Sequence, residues 1–276
     1  MTRRTKVLGS LGLVAALVGT GVGGLATGAF ARAKRPVHTV AASTPVSTAS
    51  LTFSAQVSGL TKRGATLSVT GSGQVDFAND AASLSVTLPA GLSSFLPGGS
   101  SSPAVIDVVL SGGTVYAEVP GLSALTGTPW ISVALPSGVT SSLSGAFGTA
   151  ASALGNVGAI LAFVQSHHGH VVSLGSKTVN DVSASGDRIT GQVDGFRVQA
   201  DVWADSSNRV VQAGGTATHG RLALAATVDL GQYGAPVTIT VPSSSQVTAI
   251  PLSTVEQFLG GFLGKMHLGS MFSHAA

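Results

Sequence analysis

From residue 51 onward, apolar and polar side chains alternate one for one in run after run. In ATLSVTGSGQVDF, Leu67, Val69, Val75 and Phe77 fall on one side, and Thr66, Ser68, Thr70 and Asp76 on the other. AASLSVTL repeats the pattern with Leu84, Val86 and Leu88; AVIDVVL, TVYAEV, WISV, RITGQV, RVQADVWAD, RVVQAGGTAT, RLALAATVDL and PVTITV follow. Such alternation marks strands with one dry face and one wet face. Turn signals such as Ala78-Asn79-Asp80, Asp205-Ser206-Ser207-Asn208 and Thr218-His219-Gly220 separate the runs. Strands joined by turns this short pair antiparallel. About ten of them in succession predict one large, curved antiparallel sheet.

Two segments break the period. GTAASALGNVGAILAFVQS carries Leu154, Val157, Leu161 and Val164 at helical spacing, and its other side is mostly Ala, Ile or Gly. A helix apolar nearly all round is buried or touches lipid. In the C-terminal LSTVEQFLGGFLGKMHL, Val255, Phe258, Leu259, Phe262, Leu263 and Met266 form one helical stripe. Ser253 and Glu256 supply a capping box after Pro251. Something apolar must receive that stripe: the protein's own sheet, a membrane surface or a partner. The expected class is α+β.

Composition matters here for what it excludes. Charged residues are only 9% of the 276, against an ordinary share of roughly 25%, and hydrophobic residues are 44%. Solubility therefore rests on Ser and Thr hydroxyls. Arg3, Arg4, Lys6, Arg32, Lys34 and Arg35 lie in the first 35 residues, which hold no acid; set apart from the 14 basic residues, they leave 8 against 11 acidic. The body has no cationic footprint for nucleic acid.

Those first charges belong to a leader. A positive start, the apolar VLGSLGLVAALV and the small-x-small Ala29-Phe30-Ala31 read as a signal peptide over residues 1–31. The uncharged run from Val7 to Ala31 is also long enough to span a bilayer, which leaves an uncleaved signal anchor open. Either way the body is expected to be exported, to the cell envelope or beyond. Residues 32–50, RAKRPVHTVAASTPVSTAS, read as a flexible linker, residues 51–250 as the folded body, and 251–276 as the amphipathic helix and tail. With no cysteine, the chain has neither disulfides nor a lipobox thiol to acylate.

Catalytic signatures are absent: HExxH, GxSxG and SxxK do not occur. Gly19-Thr20-Gly21-Val22-Gly23-Gly24 matches a dinucleotide fingerprint only formally, inside the leader, so no cofactor is implied. The carboxylates, Asp107, Glu118 and Asp187 among them, are scattered, and most occupy wet positions of strands or turns, where a solvated carboxylate is the ordinary explanation. His167, His168 and His170 could hold zinc or copper if their loop curls, but no carboxylate or Cys lies within ten residues of them, and an exposed helix terminus is the simpler reading. The expectation is a protein that is not an enzyme and has no metal site. Tyr116 and Trp130, in GGTVYAEVPGLSALTGTPWISV, are expected at a sheet edge or on its outer face.

The order of segments resembles the actinobacterial LppX/LprA/LprF/LprG lipoproteins, relatives of the LolA-like carriers. The matching pieces are TVYAEVP, TPWISV, VVSLGSKTVNDV, VQADVWADSSNRVV and YGAPVTITVPSSSQV, in order between about residues 50 and 250. The resemblance implies a half-barrel sheet with helices over its concave face. It also implies an apolar cavity that takes acylated lipids or glycolipids for transport or sensing. On this chain the lining would be Leu67, Val69, Leu84, Val86, Ile106, Val108, Val198, Val202, Leu222 and Leu224, roofed by Leu154, Leu161 and Val164. The family offers no catalytic residues to carry over. Two departures stand out: the lipobox cysteine is missing, and the tail carries an additional helix. The competing reading is a structural or interaction module of the cell surface whose own side chains fill the dry face.

Overall fold

The computed structural model describes residues 46–59, 66–94, 96, 101–141, 170–193 and 196–255. The chain first builds β1 (Thr48–Ser58), β2 (Leu67–Asp76), β3 (Ala81–Leu88), β4 (Ala104–Ser111), β5 (Thr114–Glu118) and β6 (Trp130–Ala134). It resumes with β7 (His170–Val179), β8 (Val182–Val193), β9 (Phe196–Ala204), β10 (Val210–His219), β11 (Leu222–Gly231) and β12 (Val247–Ala249). All twelve form one open, curved sheet in the order β12-β6-β5-β4-β3-β2-β1-β11-β10-β9-β8-β7. Every pairing is antiparallel except β12 on β6.

Two meanders, β1–β6 and β7–β11, meet where β1 pairs with β11. Strand β1 is thus hydrogen-bonded on both sides, to β2 and to β11. It starts at Thr48, inside the stretch read as linker, with Val46 7% and Ala49 0% exposed. The hairpins form where the turn signals put them. Asp76 Oδ1 accepts the backbone N–H groups of Ala78 and Asn79 at 3.1 Å each. Between β4 and β5 the two turn residues Gly112 and Gly113 both have positive φ, 56° and 73°, the geometry of a tight hairpin that glycine alone adopts freely.

The helices expected over the concave face are not part of the described fold. Among the described residues the helical pieces are short: α1 (Ala90–Ser93), α2 (Ser123–Thr126), a 3-10 turn at Ser244–Gln246, and helical turns at 137–141 and 252–255. The segment with Leu154, Leu161 and Val164, and the chain beyond Val255, lie outside the described residues. The described architecture is therefore a sheet.

PVTITV, expected as a strand, takes no place in the ladder: residues 235–243 have no regular structure. The topology gives the reason. The chain leaves β11 and must reach the far edge to add β12 to β6, crossing seven strand spacings, or about 34 Å. The intervening 232–246 must run largely extended to cover that span, because a helix of this length would reach about 22 Å. Its alternation survives as packing, with Val237 and Ile239 half-buried and Thr238 and Thr240 exposed. Period two reports one-sided contact, whether or not a ladder accompanies it.

The start of this crossing strap is pinned. Gly234 N–H donates to the Thr48 carbonyl at 3.1 Å, and Thr48 Oγ1 donates to the Ala235 carbonyl at 2.7 Å. The Tyr233 hydroxyl donates to the Val210 carbonyl, and burial pushes the phenol's pKa far above its ordinary range. Tyr233→Phe would leave that carbonyl without this partner, and a loss of about 1–2 kcal/mol is expected in urea unfolding.

Two glycines in β2 set the shape of the sheet's surface. A Cβ on Gly71 would lie 2.5 Å from the Phe53 ring, and one on Gly73 would lie 2.6 Å from Leu84 Cδ2 and 2.2 Å from the Ser83 carbonyl. Phe53 and Leu84 therefore lie flat across the neighbouring strand. Gly73→Ala is expected to destabilise the protein by about 1–3 kcal/mol in urea unfolding, because the clash includes backbone that cannot swing aside.

Candidate functional site

Directly opposed residues in a sheet share a face, so the registers determine which side chains lie together. One row runs Ile106, Val86, Gly71, Phe53, Val228, Ala213 and Val202 across seven strands. A parallel row holds Val108, Leu84, Gly73, Leu51 and Leu230 and continues through Ala117 to Ile131. A third takes Leu67, Val57, Leu224, Ala217 and Val198, and Leu222 lies on the same face two residues before Leu224.

All ten described candidates from the sequence, Leu67, Val69, Leu84, Val86, Ile106, Val108, Val198, Val202, Leu222 and Leu224, are thus brought to one apolar face. Leu154, Leu161 and Val164 lie outside the described residues. Val202 and Leu224 are buried, at 6% and 7% exposure, whereas the other eight are half-buried. Burial is deepest toward one end of the face, where Ala49, Leu51, Val75, Ala82, Ala204, Val210 and Leu230 form the core.

Sequence reasoning missed several members of this face. Leu51, Phe53, Ala55 and Val57 of β1 alternate as regularly as the other runs, and that signal was available. The floor of Gly71, Gly73, Ala213, Gly215 and Ala217 could not be found by apolar patterning, because glycine and alanine carry almost none.

Asp187 is the one carboxylate that the described registers place on this face, opposite Val202 and Ser173. Burial pushes its carboxyl above the ordinary value. The adjacent Arg188 lies on the other face, where its Nε and Nη2 each donate at 2.7 Å to Asp201. Those hydrogen bonds hold the Asp201 carboxyl below the ordinary range. Elsewhere, His170 is exposed at the start of β7, and His167 and His168 lie outside the described residues. Among the described residues no three metal-ligating side chains come together, and no helix is long and apolar enough to cross a membrane.

The folded protein holds the Asp187 proton more tightly than the unfolded chain does. This contribution to stability is full below the unfolded value of about 4 and is lost as pH rises through the folded value. Asp187→Asn removes that loss, so the variant should gain stability relative to wild type as pH rises from about 3 to 7 in urea unfolding.

No family model matches the chain, and no curated protein matches it. Among solved structures, the Mycobacterium tuberculosis lipoprotein LppX is similar at 11% identity with a TM-score of 0.39, covering 82% of this chain and 99% of its own. A LolA superfamily protein from Nitrosomonas europaea is similar at 11% identity with a TM-score of 0.25, covering 72% and 93%. A lipoprotein-sorting protein domain of the outer membrane from Vibrio parahaemolyticus is similar at 7% identity with a TM-score of 0.25, covering 69% and 87%. At these scores the likenesses carry no argument about what this chain binds, and the functional reading rests on its own residues.

Proposed function

We propose that the chain is an exported lipid-binding protein of the cell envelope, carrying or sensing an acylated lipid or glycolipid on the apolar face. The observation that supports this reading is the shape of that face. Its registers bring medium-sized aliphatic side chains together over many strands, and eight of the ten candidates are only half-buried. Phe53 and Leu84 lie flat over glycines, which keeps the floor of the face low.

Acyl chains need no polar recognition. Each buried methylene is worth ~0.8 kcal/mol, so one sixteen-carbon chain would contribute about 12 kcal/mol gross, before the entropy of binding is subtracted. The absence of a catalytic motif fits a protein whose work is occupancy. The basic leader, 1–31, would deliver the body across the membrane, and the roof would come from the segment with Leu154, Leu161 and Val164.

Solvent extraction of the protein purified without refolding, followed by mass spectrometry, should yield a stoichiometric acylated lipid. Fluorescent fatty acid should bind saturably and compete with that lipid. Val86→Asp and Ile106→Asp place charges on half-buried positions of the face and should each weaken uptake about tenfold or more while near-native circular dichroism is kept. An empty extract together with no uptake would instead favour a structural module whose own side chains fill the face.

A further inference from the structure

The opposite face of the sheet carries a groove. One register row crosses seven strands in the order Asp229, Thr52, Ser72, Ser85, Asp107, Glu118 and Trp130. Every member of this row except Glu118 lines that groove of about 900 Å³, as do Thr238 and Thr240 of the crossing strap. That volume falls in the ~300–1,000 Å³ range of small-ligand sites.

The groove's chemistry is specific. Its lining mixes Ser and Thr hydroxyls, Asn and Gln amides and the carboxylates of Asp107 and Asp229 with apolar side chains such as Val109, Val179, Val182 and Val211, and contains no Lys, Arg or His. Such a surface repels anions and offers alternating donors and acceptors to a ligand rich in hydroxyls. Asp229 is already positioned, because its Oδ1 accepts from Gln212 Nε2 at 2.7 Å while Gln212 Oε1 accepts from Lys177 Nζ at 2.6 Å.

Asp107 and Glu118 are different. They face each other directly across β4 and β5, an arrangement of like charges that costs stability. Among the described residues neither carboxylate has a hydrogen-bond or ion-pair partner. Glu118 in turn stands opposite Trp130, which is half-exposed and lines the groove. Trp203, by contrast, is buried with Lys177 Nζ 4.1 Å above its ring. The Asp107 carboxylate in one groove with an open indole suits a sugar ring, whose hydroxyl rim donates to carboxylates and whose C–H face lies on the aromatic plane.

We infer that this groove binds a neutral carbohydrate chain, with Asp107 accepting its hydroxyls and Trp130 stacking on one ring. The inference is independent of the lipid reading, which concerns the other face. Calorimetric titration of the full chain with maltohexaose, laminarihexaose and mannohexaose tests it, with spermine as a cationic probe. At least one oligosaccharide should bind saturably, and Asp107→Asn and Trp130→Phe should each weaken it about tenfold. The circular dichroism spectrum and urea unfolding midpoint should be near-native in Asp107→Asn, which shows that this near-isosteric variant is folded. Lack of binding by all three sugars up to about 10 mM overturns the inference, as does equal affinity in Asp107→Asn or binding of spermine alone.

Discussion

The structure depends on the double pairing of β1. Two meanders that would otherwise be separate sheets become one because β1 hydrogen-bonds β2 along one side and β11 along the other. That seam also aligns the faces. Leu51 stands opposite Gly73 and Leu230, and Phe53 opposite Gly71 and Val228, so the apolar side of one meander continues into the apolar side of the other. A one-residue slip at this seam would set Ser and Thr of one meander beside Val and Leu of the other.

Small residues then decide what the apolar side becomes. A face built only of branched side chains would stand tall and fill itself. Here Gly71 and Gly73 let Phe53 and Leu84 lie down, and the row through Ala213, Gly215 and Ala217 stays low on the other side of the seam. The opposite face keeps its hydroxyls and acids, and a strap from β11 to β12 helps line a groove over it. One sheet thus presents two surfaces of contrasting chemistry, separated only by the thickness of the backbone.

Much of the apolar face was legible in the sequence, because side-chain alternation is a property of a single strand and needs no knowledge of its neighbours. Leu84, Val86, Ile106 and Val108 could be placed together on parity alone. What parity could not supply was partnership. PVTITV has the pattern of a strand, yet it crosses the sheet, because β12 lies at the far edge and the chain must reach it. Asp187 was read as an ordinary wet carboxylate, while the pairing of β8 with β9 sets it opposite Val202. Tyr116 and Trp130 were expected at an edge or on the outer face. Register puts both on the polar face, with Trp130 beside a carboxylate pair that is dispersed in sequence.

The sequence by itself determined that the body is a multistranded antiparallel sheet with one dry side, since each run's period and turns are local chemistry. Tertiary structure alone decided that β1 joins the two meanders, that the strap runs extended to β12, and that Asp107, Glu118 and Trp130 meet in one row. Those outcomes depend on hydrogen-bond pairing between distant segments, and backbone pairing is nearly blind to side-chain identity. The residues that meet across it are therefore fixed by the register of the whole sheet.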